Sequence, residues 1–350
     1  IAIIPFRNKG KEQDAFYAYG ICADLISDCS SAGLIRVASL EEIEELGEIS
    51  FKEKAKKLFV RYVATGRLWK MDDMFQLSVE LYDTKDKKVV WSDRWQEKWD
   101  NLPTIKGSLS DGLLKALDTK PKVEQKIDTT NPEAYEFYLK AKHKYEKREN
   151  TDDTEIARGL LQKAIELDKT LILAKNLLGT TYREMGDYDK AMEIYTPALI
   201  QSEELSDKQG MGYSLNSIGN VHHERGDYNK ALDCHERSLA ISEELGDKLG
   251  IGNSLNNIGL VHKNKGDYDK AFDYLERSLA IHEELGNKLG MGNCLHNIGI
   301  MHKNKGALYY YDRSLIIREE IGDKRGMGNS LGSIGIVYAE KGDYDTALDY

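Results

Sequence analysis

The chain repeats itself every 40 residues, and that period limits its fold more than any other feature. GDYDKAMEIYTPALIQSEEL from Gly186, GDYNKALDCHERSLAISEEL from Gly226 and GDYDKAFDYLERSLAIHEEL from Gly266 superimpose almost residue for residue. Between them run SLNSIGNVHHERG, SLNNIGLVHKNKG and CLHNIGIMHKNKG. A fixed period of this length predicts stacked supersecondary units. Each unit hides its apolar face only against its neighbours, so the product is one long continuous surface.

The punctuation inside each unit predicts paired helices. Gly186, Gly226, Gly266 and Gly342 close a first helix, and Asp187, Asp227, Asp267 and Asp343 then cap a second one by accepting orphan N–H bonds. Gly246-Asp247 and Gly286-Asn287 repeat the device at the other end of the unit. Internal glycines such as Gly250, Gly252 and Gly259 recur at one phase. Each costs about 1 kcal/mol against alanine in a helix interior. Their recurrence predicts helices packed too closely for a side chain.

Two departures stand out. Pro197 occupies a second-helix position where the siblings have Arg237 and Arg277, which predicts a kink. Between Gly306 and Ala307 the residues DYDK are missing, so the spacing falls from 40 to 36 residues. That is about one helical turn, so ALYYYDRSLII keeps its face while a cap is lost and the local turn tightens.

Residues 1–118 follow different rules. IAIIPF reads as a buried strand and DAFYAYGICADLISDCSSAG as a helix with Phe16, Ile21, Leu25 and Ile26 on one side. LIRVA (34–38) reads as a second strand, and Ser50 with Glu53 forms a capping box that starts another helix. LFVRYVATGRLW, FQLSVELYD and VVWSDRWQEKW read as three strands, and a helix over 103–118 closes the unit. The order βαβαβββα predicts an α+β domain. The polar, aperiodic stretch 119–131 reads as a linker, and 132–350 as a helical array of about six units, the last truncated.

Charge and chemistry narrow the function. Residues 1–120 hold 19 Lys/Arg against 20 Asp/Glu, and the remainder 30 against 39. An acidic array argues against a nucleic-acid backbone as partner. Cys22, Cys29, Cys234 and Cys294 lack metal-ligand spacing and read as reduced thiols, which favours a cytoplasmic location. No apolar stretch reaches membrane-spanning length. Both ends read as cut, so an upstream anchor, signal or catalytic domain is an open expectation. Asp24 and Asp28, one helical turn apart, suit acid–base work, but the favoured reading is a solvated helix face. Trp91, Trp95 and Trp99 suit an aromatic platform, yet Trp91 follows two valines in a strand and reads as core. His222, His262 and His302 recur once per unit, too far apart for one ion, and read as packing groups. No catalytic, cofactor or metal motif emerges.

Leu178-Gly179, Ile218-Gly219, Ile258-Gly259, Ile298-Gly299 and Ile334-Gly335 carry a further signal. Tyr182, His222, His262, His302 and Tyr338 follow three positions after each glycine, and Ala191, Ala231, Ala271 and Ala347 come later. In these residues the region resembles the tetratricopeptide repeat, a right-handed all-α superhelix. The 40-residue period with GDK or GNK links is most similar to kinesin light chains and to modulators of G-protein signalling. IAIIPF, YAYGICADLISDCSSAGLIRVAS, LFVRYVATGRLWKM and FQLSVELYDTKDKKVVWSDRW resemble the TolB amino-terminal-like domain. That resemblance implies a place between an output module and helical repeats. The output is commonly a class III nucleotide cyclase, a winged-helix domain or a kinase. The rival reading is therefore the regulatory region of such an enzyme; an upstream signal or membrane helix would instead favour the periplasm.

The repeat resemblance implies that first helices line a concave groove. Its columns here hold Asn176, Asn216, Asn256 and His296; Asn257 and Asn297 beside Ser217 and Ser333; and Asn253, Asn293 and Asn329, with Asn220 nearby. A carboxamide both donates and accepts, so such a ladder suits an extended peptide backbone. Lys263 and Lys303 add attraction for an acidic segment. The basic clamp that chaperone-associated relatives use on a C-terminal carboxylate is not matched. The expected function is a non-enzymatic protein–protein interaction scaffold, without cofactor or metal, binding a peptide of a signalling partner.

Overall fold

A computed structural model describes residues 1–31, 37–38, 40–47, 49–58, 60–119, 131–302 and 305–350. The amino-terminal region is a sheet with helices on it. Within IAIIPF only β1 (Ala2–Ile3) is a strand; β2 (Arg7–Asn8) follows it, and both run parallel to β3 (Tyr62–Met71). The antiparallel meander β3, β4 (Met74–Asp83) and β5 (Lys88–Lys98) completes the sheet, with spatial order β1-β3-β4-β5. β4 alternates as its sequence predicts, burying Phe75, Leu77, Val79 and Leu81.

Helices α1 (Ala15–Ser31) and α4 (Leu102–Ala116) pack with that face in one core. Helices α2 (Leu40–Glu45) and α3 (Phe51–Lys57) precede β3, and Ile43 and Ala55 belong to a second, smaller core with Val63. The capping box at the start of α3 is present: Ser50 Oγ accepts from Glu53 N, and Glu53 Oε2 accepts from Ser50 N at 3.1 Å. Of the expected strand LIRVA, residues 34–36 lie outside the described ones; Val37 and Ala38 are not in a strand, although Ala38 N donates to Ile1 O. Most of the expected linker, 120–130, also lies outside them.

From Asn131 onward the described residues are helical pairs: α5 (Pro132–Glu146) with α6 (Thr151–Leu167), α7 (Ile172–Glu184) with α8 (Tyr188–Glu204), and α9 (Lys208–Glu224) with α10 (Tyr228–Leu245). Then come α11 (Lys248–Lys265) with α12 (Tyr268–Leu285), α13 (Lys288–Met301) with α14 (Lys305–Glu320), and α15 (Lys324–Glu340) with the short α16 (Tyr344–Asp349). From the second pair on, each first helix also meets the first helix of the next pair, α7 with α9, then α11, α13 and α15. The first helices therefore form the inner wall of the curve.

Close approach explains the recurring glycines. A Cβ on Gly219 would lie 2.6 Å from the His235 ring, and one on Gly259 2.8 Å from Leu275. The φ angles at Gly186, Gly226, Gly266 and Gly342 lie between 80° and 83°, the left-handed region that glycine tolerates.

The caps divide into two sets. Asp207, Asp247, Asn287 and Asp323 each accept from a glycine N–H three residues on, as expected at Asp247 and Asn287. Asp187 and Asp343 also cap, but Asp227 and Asp267 do not. Their carboxylates face His222 Nδ1 at 3.4 Å and His262 Nδ1 at 3.3 Å instead. The imidazole of the preceding helix lies beside each carboxylate, and His262 Nδ1 shares a hydrogen bond with Asp267 Oδ2.

Helix α8 continues through Pro197 to Glu204. The four-residue deletion is absorbed differently from expectation. α13 has 14 residues where α11 has 18, so the first helix loses its last turn. Lys305 and Gly306 open α14, whereas Lys265 and Gly266 end α11.

Candidate functional site

The predicted asparagines do meet on the inner wall, and they bond to one another. Asn257 Nδ2 donates to Asn216 Oδ1 of the preceding repeat at 2.9 Å, and Asn297 Nδ2 donates to Asn256 Oδ1 at 3.2 Å. Asn256 Nδ2 reaches Asn257 Oδ1 at 3.3 Å, which joins these steps into one chain of amides across three repeats. The chain forms because a 40-residue period sets each residue beside its neighbour's counterpart. Asn176 heads the same column but is buried; its Oδ1 accepts from Ser214 and its Nδ2 has no partner among the described residues. Asn220 is half-buried.

The third column is the open one. Asn253, Asn293 and Asn329 are exposed, and Asn293 accepts from Arg318 Nη2 at 2.7 Å. In the third repeat this position is Tyr213.

Positive charge gathers beside the chain of amides. Lys263 is half-buried, and no carboxylate pairs with it among the described residues. Burial lowers its pKa. His223 and His296 both feel its charge, and Arg318 acts on His296 as well. Burial, with those two cations, holds the His296 imidazole at about 4. Lys303, its expected companion, lies outside the described residues.

Two histidines escaped the sequence reading. His235 and His282 are each 1 % exposed, and burial drives their pKa values to about 3 and about 4. Their rings fill the space left by Gly219 and Gly290, where sibling repeats place other side chains. Only that pairing of a large residue with a facing glycine signals them. His262 stacks on Tyr274 and His302 on Tyr310, so these recurring histidines pack against aromatics. Among the described residues no three metal-ligating side chains converge.

The favoured reading of Asp24 and Asp28 needs correction, because both are buried. Asp24 accepts from Tyr135 Oη and from Lys142 Nζ at 2.9 Å, and Lys106 pairs with Asp28 at 3.2 Å. Burial raises the Asp24 carboxyl, but Lys142 and Lys106 outweigh it and leave its pKa lowered. Asp28 stays raised, because burial and the charge of Asp24 oppose Lys106. Asp24 joins α1 to α5 and Asp28 joins α1 to α4, so the solvated face is an interface. Trp91, Trp95 and Trp99 make no open platform. Trp99 is buried between Tyr17 and Phe75, and Trp91 lies against Gly112 of α4.

The family model of the tetratricopeptide repeat matches residues 170–244 and 250–306. This is a tetratricopeptide-like repeat region, and it extends into the carboxy-terminal helices. No curated protein sequence matches the chain significantly. Among solved structures, the apo form of RapI is 15% identical, with a TM-score of 0.53 over 71% of this chain and 87% of that one. A Rap protein complexed with competence and sporulation factor is 17% identical, with a TM-score of 0.53 over 69% of this chain and 67% of that one. A signal transduction ATPase with a tetratricopeptide repeat sensor, from Pyrococcus horikoshii, is 17% identical with a TM-score of 0.50; the match covers 59% of this chain and 32% of that one. At these identities the likeness establishes the shared fold alone. Among the described residues no helix is long and apolar enough to cross a membrane.

Proposed function

We propose that this chain is a non-enzymatic interaction module whose inner wall holds an extended, acidic segment of a signalling partner. One observation carries the reading. Lys263 is half-buried and unpaired among the described residues, at the edge of an amide chain with bonding capacity to spare. A desolvated cation without a counter-ion is costly, and an incoming carboxylate relieves that cost. Each carboxamide has two donor hydrogens and two lone pairs, so Asn256, Asn257 and Asn297 keep groups free beyond those spent on each other. Asn253, Asn293 and Asn329 extend the polar row. A Rap relative is complexed with a factor, which supports a peptide as the kind of partner.

The division into a sheet domain over 1–118, a joint over 119–131 and an array over 132–350 belongs to the same proposal. So do the TolB-like character of the first part, the kinesin-light-chain type of the repeats, and the cytoplasm as location.

The test is titration of the full chain with a fluorescein-labelled decapeptide of alternating Glu and Ala. Lys263→Ala should weaken binding about tenfold, the scale of a central contact. The triple change Asn256→Ala, Asn257→Ala, Asn297→Ala should weaken it further with helicity kept. Undiminished binding by the triple variant would remove the groove from the account.

A further inference from the structure

The inner wall already has an occupant. Helix α1 packs along α5 of the first repeat and also meets α11 of the fourth. Both are first helices, so α1 lies on the concave side. The face it presents is spaced at helical intervals: Gly20, Asp24, Ser27 and Asp28.

The two ends of that contact differ in kind. At the near end α1 and α5 share one core. A Cβ on Gly20 would lie 2.7 Å from Leu139, and Asp24 is buried against Tyr135 and Lys142. At the far end the contact is polar. The Tyr213 hydroxyl of α9 lies beside Ser27 of α1 and feels the charges of Asp28 and of Asp247 at the head of α11. Tyr213 is 36 % exposed and Ser27 half-buried. Tyr213 also occupies the column that Asn253, Asn293 and Asn329 continue.

We propose that α1 is a built-in occupant of the groove, held permanently at α5 and releasably at Tyr213 and α11, so that closure of this latch restricts access to the inner wall. The physical basis is the contrast in burial. An apolar core with paired buried charges opens only on unfolding, whereas a small polar contact exchanges its hydrogen bonds for water at little net cost. The restriction rests on the groove being the binding surface, as proposed above; the latch itself does not.

Two measurements on the full chain separate the claims. The four native cysteines are buried, so spin labels go selectively onto Lys85→Cys in the β4–β5 turn and Glu340→Cys at the end of α15. Pulsed electron resonance should give one narrow distance in the parent. Ser27→Arg and Tyr213→Ala, which attack the latch from opposite sides, should each lengthen and broaden it by about 5 Å, the scale of an element shift. Circular dichroism confirms that both fold. Identical distributions in all three proteins overturn the latch. The Glu–Ala decapeptide is then titrated into each. If the latch is closed in about nine molecules of ten, opening it tightens apparent binding about tenfold. Equal affinity with a changed distance overturns the restriction. Absence of binding by every form removes the groove reading and the restriction together, while the distances alone decide the latch.

Discussion

The first repeat and the fourth derive from one helical-pair template, yet they use polar groups in opposite ways. In the first, Lys142 of α5 is turned against Asp24 of α1, and the pair is buried with Tyr135. In the fourth, Asn256 and Asn257 of α11 are half-buried and bond along the stack, and Lys263 lacks an ionic partner among the described residues. The difference lies in the neighbour. A foreign helix shares its core with the first repeat and demands charge pairing, whereas it only touches α11 of the fourth, whose amides meet copies of themselves. Copies supply matching amides but no compensating charge. Polar residues on a repeat are therefore structural or available according to what packs on them.

The sharpest way to break this contrast is at the buried pair. Asp24→Ala should destabilise the chain by about 3 kcal/mol, because it strands Lys142 in a buried site. The double change Asp24→Leu with Lys142→Met should cost clearly less. Denaturant midpoints read both, and equal losses would mean that the charges are not coupled. Next in size is Gly219→Ala. Its new Cβ meets the His235 ring at 2.6 Å, so the expected loss is about 2 kcal/mol by overpacking. Gly328→Ala, where a Cβ meets nothing within 4 Å, should instead be neutral or slightly stabilising.

The repeats should also respond to acid through their buried imidazoles. His235, His282 and His296 have folded pKa values of about 3, 4 and 4, below the unfolded value near 6.5. Protonation thus favours the unfolded chain. Their contribution is complete above about pH 6.5 and is lost as pH falls from there towards 4. Each histidine then removes up to about 1.4 kcal/mol per pH unit. His235→Leu copies Leu275, the residue at that position one repeat later, and should make the acid slope shallower by about one proton. An unchanged slope would show that His235 does not report burial. Smallest is the amide chain. Asn257→Ala removes the bond to Asn216 and should cost about 1 kcal/mol, a loss that thermal melts resolve.

Much of this was legible in the sequence because repetition is a local signal. Gly186, Gly226 and Gly266 announce left-handed turns, Ser50 and Glu53 announce a capping box, and the alternation of Phe75, Leu77, Val79 and Leu81 announces a half-buried strand. Each rests on backbone chemistry within a few residues. Asp227 and Asp267 were misread because His222 and His262 lie behind them only once the pair has folded. The deletion after Gly306 was misplaced for a related reason. Losing a turn from α13 or tightening the connection satisfies the same register, and packing chooses the former.

The sequence alone determined the helical pairs, their stacking and the columns of asparagine, since a fixed period carries equivalent residues to equivalent places. Only the tertiary structure decided that the Asp24 face of α1 is buried, that α1 lies along the inner wall, and that the amides bond to each other. Those facts join residues separated by 111 positions, as between Asp24 and Tyr135, and by 41, as between Asn216 and Asn257. No local propensity encodes which distant surface a solvated-looking helix face will meet; that is settled by the free energy of burying both surfaces together.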